Sequence, residues 1–173
     1  MARAAPAADR YERLYRAHYQ DLLGYALRRV DPPEAAADVV AETFLVAWRR
    51  FSDIPADRAR AWLFGVARNV LANHGRAERR RAGLADQLRR ELATVPAAAP
   101  DLPEHVTRAF DALPEADREL LRLVAWEGLS TDELAVALGC TTNAVRIRLH
   151  RARQRFAAAL GEPIPTTDRG ARA

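Results

Sequence analysis

The sequence predicts an all-α protein of two small helical domains joined by a flexible linker, the second domain ending in a helix-turn-helix. Apolar residues recur every three or four positions over most of the chain, which is the period of a helix with one buried face. Capping residues and prolines mark the expected helix starts. The period is lost before the segment VPAAAPDLP, whose composition is typical of an extended linker. We therefore expect domains at residues 10–81 and 104–160, a linker at 82–103 and a disordered tail at 161–173.

Composition excludes several classes of protein. The chain has 173 residues, of which 49% are hydrophobic, enough to build packed cores. No apolar run is long enough to span a bilayer and the start lacks the apolar middle of a signal peptide, so we expect a cytoplasmic protein without membrane insertion. One cysteine and four scattered histidines form no ligand or nucleophile constellation. We expect no metal, no cofactor and no enzymatic activity.

Charge indicates an anionic partner. The formal net charge is +4 and the sequence contains no lysine, so all 27 basic residues are arginine. Only three asparagines occur, and each lies in a basic segment with helical period: Asn69, Asn73 and Asn143. Asparagine is a common reader of base edges, although placement near helix ends would also account for these positions.

The first helix is predicted to begin at Asp9, because Asp9 and Glu12 have the spacing of a capping box. An apolar stripe then continues at helical spacing to Val30. Asp31 is the expected N-cap of the second helix, with Pro32 at its first position.

The second helix is predicted to run to about Phe51. Its buried stripe should contain Val40, Phe44, Ala47, Trp48 and Phe51. Asp38 and Glu42, one turn apart, share another face with no basic residue at the next turn. Such an acidic face is either solvated or docks a basic partner surface.

The third helix is predicted from about Arg58 to Arg81, after a turn over residues 52–57. Its buried side should contain Trp62, Leu63, Val66, Ala67, Val70 and His74. The basic and amide side chains left outside include Arg68, Asn69, Asn73 and Arg76. Basic groups interleaved with polar and aromatic ones suit phosphates and unstacked bases.

The second domain is predicted to contain four helices. The first should cover Glu104 to Leu113, and Pro114 should open another that runs to about Glu127. Ser130 and Glu133 then form a capping box, Gly139 ends that third helix, and Thr141 caps the last one.

The last helix combines an apolar stripe with a basic surface. Val145, Leu149, Ala152 and Phe156 recur at helical spacing, and the basic side chains, with no acidic residue among them, are Arg146, Arg148, Arg151, Arg153 and Arg155. The pattern is typical of a helix-turn-helix whose second helix enters the major groove. An arginine-rich helix can also be a solvated face, and the motif occurs in repressors and response regulators as well as in initiation factors.

Three segments resemble one family. These are DVVAETFLVAWRRF (38–51), RAWLFGVARNVLANH (60–74) and the stretch from Leu113 to Phe156 that contains WEGLSTDELAVALGCTTNAVRIRLHRARQRF. In this order and spacing they resemble the extracytoplasmic-function (ECF) sigma factors, group 4 of the sigma-70 family, over about residues 10 to 160. The resemblance implies a factor that binds core RNA polymerase and directs it to promoters with −10 and −35 elements. The alternative is a repressor or response-regulator output module acting without core polymerase, which would leave residues 38–74 unexplained.

The resemblance also implies residue roles. Asp38 and Glu42 would dock on the clamp helices of the polymerase β′ subunit, where Ala41 replaces a common glutamine. The −10 element would be read by Arg68, Asn69, Asn73 and Arg76, next to a loop in which Ile54-Pro55-Ala56 replaces a common Arg-Gly. The −35 element would be contacted by Thr142, Asn143, Arg146, Arg148, His150, Arg151 and Arg153, with Ile147 in place of a common serine. Further expected partners are the polymerase β flap and an anti-sigma factor.

Overall fold

The computed structural model describes the backbone of residues 4–89 and 102–161 and the side chains of residues 7–75 and 102–161. Over these ranges the chain is helical and contains no strand, so the predicted all-α class is confirmed. The helices are α1 (Ala4–Leu27), α2 (Pro33–Arg49), α3 (Ala59–Arg89), α4 (Glu104–Asp111), α5 (Glu115–Ala125), α6 (Thr131–Leu138) and α7 (Thr142–Leu160), with a 3-10 turn at Phe51–Asp53. Most of the predicted linker and tail, residues 90–101 and 162–173, lies outside the described residues.

Helices α1, α2 and α3 pack against one another and form the first domain. Their shared core contains fully buried side chains from all three helices, among them Leu22, Tyr25, Val39, Leu63 and Phe64. Each such side chain contributes roughly 1.5–3 kcal/mol when it leaves water. The helical spacing in the sequence therefore places one apolar face of each helix in a common interior.

In the second domain α7 packs against α4, α5 and α6. The interior residues Leu120, Leu123, Leu134, Val145 and Leu149 are all buried. The burial of Val145 and Leu149 was predicted by their helical spacing. Phe156, at the far end of the stripe on α7, is half-buried and meets the ring of Phe110 edge-on at 5.9 Å. The second domain is thus built around the last helix of the sequence motif.

The two domains also pack against each other. Helix α3 lies against α6, and the buried residues of both domains form one continuous cluster. At position 65 the approach requires glycine, because a Cβ there would lie 2.7 Å from the carbonyl oxygen of Ala137. The sequence predicted two helical domains but gave no indication of this contact between them.

Charged groups line the same junction. Glu127, whose side chain is 3% exposed, accepts hydrogen bonds from Arg28 at 2.7 and 2.8 Å and from Arg29 at 3.2 Å. Glu119 accepts a hydrogen bond from Arg29 Nε at 3.0 Å and another from the hydroxyl of Tyr25 at 2.8 Å. Burial and, next, the Glu119 carboxylate raise the pKa of Tyr25 far above its ordinary value, so its hydroxyl keeps its proton. We call Arg28, Arg29, Glu119 and Glu127 the interdomain charge cluster.

Two predicted helix starts are wrong. Asp9 lies inside α1, which begins at Ala4, so Asp9 and Glu12 form no capping box. The alanine-rich start explains this, because alanine has the highest helix propensity and carries the helix past Asp9. Helix α2 begins at Pro33 with Pro32 as its N-cap and no side-chain cap bond, so Asp31 is not the cap.

The predicted burial of Trp48 is also wrong. Helix α2 ends at Arg49, and Trp48 is 51% exposed while Ala47 beside it is fully buried. Consecutive residues point about 100° apart on a helix, so only one of the two can face the core. Trp48 instead packs edge-on against the ring of Tyr11, at 4.8 Å.

Helix α3 starts one residue after the predicted position and continues eight residues beyond Arg81, to Arg89. Of its predicted buried side, Trp62, Val66 and His74 are only half-buried. The helices of the second domain are slightly shorter than predicted, with α4 ending at Asp111 and α5 at Ala125.

Candidate nucleic-acid interface

Helices α6 and α7 form the predicted helix-turn-helix, and its local signals act as expected. The Ser130 hydroxyl accepts a hydrogen bond from the backbone N–H of Glu133, and the Glu133 carboxylate accepts one from the backbone N–H of Ser130, at 3.3 and 2.8 Å. Gly139 ends α6 in the left-handed conformation, with φ of 62°. The Thr141 hydroxyl caps α7 by accepting from the backbone N–H of Ala144 at 3.2 Å. Backbone amide groups at the starts of both helices are therefore satisfied locally, which stabilises the first turn of α6 and of α7.

One face of α7 presents a row of arginines to solvent. Val145, Leu149 and Ala152 are buried on the opposite face and hold the helix against α5 and α6. The side chains of Asn143, Arg146, Arg148, His150, Arg151 and Arg153 are exposed. Within the described parts of the chain, Arg146, Arg151 and Arg153 form no ion pair. Their charge is therefore available to an external anion.

Three neighbours of this face are held by the protein itself. The Thr142 hydroxyl donates to Asp132 at 2.9 Å, and Arg148 lies 4.0 Å from the sulfur of Cys140. Arg155 forms an ion pair with Asp117 of α5. Arg155, part of the basic pattern in the sequence, is thus directed toward the protein instead of the exposed row.

The candidate −10 residues lie on α3, but they do not form one uniform surface. Asn69 and Asn73 are exposed. Arg68 is half-buried and lines a cavity of about 1030 Å³ at the junction of the domains, where its Nε has no hydrogen-bond partner among the described atoms. Arg76 lies within α3, beyond the described side chains.

A smaller cavity separates α1 from the loop that follows α2. Its volume is about 300 Å³, and its lining residues are Arg10, Arg13, Leu14, Ala17, His18, Phe51, Ile54, Ala56 and Ala59. Two arginines and an aromatic ring thus line a cavity beside the predicted turn at residues 52–57. The contribution of α1 was not predicted, because Arg10, Arg13 and His18 are about forty residues away in sequence and carry no local motif.

The acidic residues of α2 lie on an exposed strip that also contains apolar groups. Asp38 is exposed, and Glu42 forms a 3.1 Å contact with Nε2 of His74. Leu45 and Trp48 follow at helical spacing and are 46% and 51% exposed. The sequence predicted the carboxylates but not their apolar neighbours, since the exposure of Trp48 depends on the packing phase of α2. An acidic and apolar strip of this kind is typical of a protein interaction surface.

The described residues contain no group of three or more histidine, cysteine or acidic side chains that could hold a metal ion. Among the described helices, none is both long and apolar enough to cross a bilayer. The fold and the exposed basic helix define the class: a DNA-binding protein of two helical domains, with a helix-turn-helix in the second.

Comparison with known proteins identifies the family. Residues 14–81 match the Sigma-70 region 2 family and residues 104–156 match the Sigma-70 region 4 family. The ECF RNA polymerase sigma factor SigL of Mycobacterium tuberculosis is 37% identical over 169 residues, covering 88% of this chain and 92% of SigL. EcfG of Rhodopseudomonas palustris, also an ECF RNA polymerase sigma factor, is 32% identical over 142 residues, covering 80% and 78%. The chain therefore belongs to the ECF RNA polymerase sigma factors of the sigma-70 family.

Solved structures agree with the fold. CnrH, in complex with the cytosolic domain of CnrY, has a TM-score of 0.59 and 28% identity over 91% of this chain and 94% of CnrH. The sigma factor RpoE of Bartonella quintana, solved with the anti-sigma factor NepR, has a TM-score of 0.62 and 24% identity over 92% of this chain and 98% of RpoE. The likeness to RpoE concerns the fold alone. The two-domain helical architecture is thus shared with ECF sigma factors.

Proposed function

We propose that this protein binds core RNA polymerase and directs it to promoters that carry matching −10 and −35 elements. One observation carries the proposal: a single sigma-70 chain presents an acidic and apolar strip on α2 and a separate row of unpaired arginines on α7. A repressor acting without polymerase needs the second surface but has no use for the first. The proposed domains are residues 10–81 and 104–160, with the linker at 82–103.

The −35 element is assigned to the exposed face of α7 and its N-terminus. Arginine recognises guanine through two hydrogen bonds in the major groove, and one such contact gives roughly 1–3 kcal/mol of discrimination. The proposed contact residues are Thr142, Asn143, Arg146, Arg148, His150, Arg151 and Arg153. Ile147, which is 45% exposed on the same helix, offers an apolar contact to a thymine methyl group.

The −10 element is assigned to α3 and the loop before it, through Arg68, Asn69, Asn73 and Arg76. Opening about a dozen base pairs costs on the order of 1.4 kcal/mol per stacked step. Capturing one or two unstacked bases returns only about 1–3 kcal/mol each. The first domain therefore nucleates melting, while the polymerase supplies most of the energy.

The strip on α2 is assigned to the polymerase. Asp38 and Glu42 supply the charge for the basic clamp helices of β′, and Leu45 and Trp48 supply apolar area beside them. The second domain would contact the β flap. Working with the polymerase also places the protein in the cytoplasm, and its role is that of an initiation factor without catalytic chemistry of its own.

We also expect a protein inhibitor of the anti-sigma type. CnrH, 28% identical to this chain, was solved in complex with the cytosolic domain of CnrY, which supports the expectation of a dedicated protein partner. The partner of this chain would be sought by co-purification from its native host.

Reconstitution tests the main proposal. The purified chain is mixed with bacterial core polymerase and a library of randomised promoters, and transcripts are mapped to their start sites. We expect transcripts from a subset of templates that share two sequence blocks. If a control sigma factor works under the same conditions and this chain forms neither complex nor transcript, the proposal fails. Tight operator binding without core polymerase would favour the repressor alternative.

A charge reversal on α2 tests the polymerase-binding strip independently of the arginine row on α7. The double variant Asp38→Arg and Glu42→Arg should weaken core binding at least tenfold, because like charges would then meet across the interface. Binding of a −35 duplex should stay unchanged. Glu12→Arg, on the exposed side of α1, is the matched control. Equal core affinity of the double variant and the control would remove Asp38 and Glu42 from the interface.

A further inference from the structure

A large cavity lies at the junction of the two domains. Its volume is about 1030 Å³, at the upper end of the range for small-molecule sites. Its lining comes from α1, the loop after α1, the start of α2, the middle of α3 and the first half of α5. Both domains therefore contribute side chains to one enclosed space.

The Arg68 side chain brings an unpaired positive charge to this cavity. It is half-buried, and within the described side chains of residues 7–75 and 102–161 it forms neither an ion pair nor a hydrogen bond. Taking a cation partly out of water without a counter-charge is unfavourable. A bound anion would supply the counter-charge that these parts of the chain do not.

The other arginines of the lining have carboxylate partners but keep unused donors. Arg28 and Arg29 both pair with Glu127, and Nη1 of Arg122 lies 3.5 Å from a carboxylate oxygen of Glu115. Each of the three arginines nevertheless has one buried nitrogen without a hydrogen-bond partner among the described atoms. The protein groups described here therefore do not saturate the hydrogen-bond donors around the cavity.

The acidic residues of the lining leave the charge of Arg68 in place. Glu115 and Glu119 are held in ion pairs with other arginines. Asp31 is exposed, so water and salt screen its charge. An anion at Arg68 would therefore meet a guanidinium whose charge no described carboxylate neutralises.

The lining combines these donors with apolar side chains, namely Val30, Pro32, Ala35, Leu71 and Ala72. A planar guanidinium binds phosphate through paired, charge-assisted hydrogen bonds. Apolar side chains in a small-molecule site contact the organic part of a ligand. The two kinds of group together fit a molecule that carries both a phosphate and an organic body.

We propose that the cavity binds a small organic phosphate, such as a sugar phosphate or a mononucleotide. Its phosphate group lies at Arg68 and its organic part lies against the apolar side chains. Arg68 is also among the proposed −10 contacts, so a bound ligand occupies it in place of DNA. The site depends on contacts within the free chain and not on the proposed function.

Isothermal titration calorimetry of the full chain tests the ligand class. The probes are inorganic phosphate, ribose 5-phosphate, adenosine 5′-monophosphate and adenosine. We expect both esters to bind more tightly than inorganic phosphate, and adenosine, which has no phosphate, not to bind. If neither ester binds, the proposal fails. Inorganic phosphate that binds as tightly as the esters would overturn the role of the apolar side chains.

The variant Arg68→Met tests the assigned side chain, because it keeps an apolar stem of similar length and removes the charge. It should weaken binding of the esters about tenfold or more, since hydrogen bonds to a charged group are among the stronger ones. The matched control Arg108→Met removes an exposed arginine of α4 and should bind the esters like the wild type. Equal weakening by both variants would show a general charge effect and would overturn the site.

Two further measurements separate a ligand site from a structural arginine. In phosphate-free buffer Arg68→Met should melt no lower than the wild type, because Arg68 has no partner among the described residues to lose. A clear fall in its melting temperature would show that Arg68 supports the fold instead. In nuclear magnetic resonance spectra of the isotope-labelled wild type, ribose 5-phosphate should shift the amide signals of Leu71, Ala72 and Ala116. Shifts confined to α7 would place the phosphate at the arginine row and would overturn the cavity as its site.

Discussion

Replacing Glu127 by alanine should be among the most destabilising single changes in the second domain. The Glu127 carboxylate is almost completely buried and accepts hydrogen bonds from both Arg28 and Arg29. The substitution leaves these cations in a site that water does not reach freely. Removing one partner of a buried ion pair typically costs about 3–5 kcal/mol.

The structure places the cost at the lower end of that range. Arg29 keeps its second partner, Glu119, at 3.0 Å, and Arg28 is 28% exposed and can rehydrate. We therefore expect a loss of about 3 kcal/mol. At about 2–4 °C for each kcal/mol in a chain of this size, the melting temperature should fall by roughly 6–12 °C.

Differential scanning calorimetry measures the effect. The control is Glu12→Ala, which removes an exposed pair with Arg16 and should cost about 0–1 kcal/mol. Because these ion pairs cross the junction of the two domains, separation of the domains in the variant would limit the loss and would split the transition in two. A melting temperature within about 2 °C of the wild type, with a single transition, would refute the argument that this carboxylate is a buried counter-charge.

Three further predictions concern single side chains in the two domains. Ser130→Ala removes the capping box of α6 and should cost about 1 kcal/mol in a denaturation titration, and an unchanged midpoint would contradict the role of the cap. Arg146→Ala should reduce the discrimination between matched and mismatched −35 duplexes by roughly 1–3 kcal/mol. The control Arg155→Ala should not, because the Arg155 side chain pairs with Asp117. Equal effects of the two variants would show that Arg146 does not recognise a base. Burial lowers the pKa of His18 below its ordinary value, so the unfolded chain binds the proton more readily and stability should fall as the pH drops below about 6.5. When melting curves are recorded at a series of pH values, the melting temperature of His18→Gln should fall less steeply below this pH than that of the wild type. An equal fall in both proteins would exclude His18 as the cause.

The features that could be predicted from the sequence are those decided by near neighbours. Ser130, Gly139 and Thr141 act on backbone groups within a few residues, so their roles follow from spacing alone. The arginine row on α7 was predictable for the same reason, because its register is set by Val145 and Leu149 on the opposite face.

The wrong predictions, on the burial of Trp48 and on the start of α1, arise where the local sequence is compatible with more than one arrangement. Trp48 and Ala47 are both apolar, and the sequence does not show which of them faces the core. Asp9 has capping-box spacing, but it lies after alanines that extend the helix toward the start of the chain.

The domain contact was not predictable, because its partners are far apart in sequence. Tyr25 and Glu119 are 94 positions apart, and Arg28 and Glu127 are 99 apart. In the sequence Gly65 is an ordinary helix-weakening residue. Only the structure shows that the close approach of Ala137 leaves no room for a Cβ at this position.

The exposure of Trp48 supplies an optical probe that needs no label. The indole is about half in water, while the other two tryptophans, Trp62 and Trp126, are better covered. Burial against a second protein would shift Trp48 emission to shorter wavelength. Replacing Trp62 and Trp126 by phenylalanine would leave Trp48 as the single emitter, so that its emission could follow the arrival of a partner at α2 in real time.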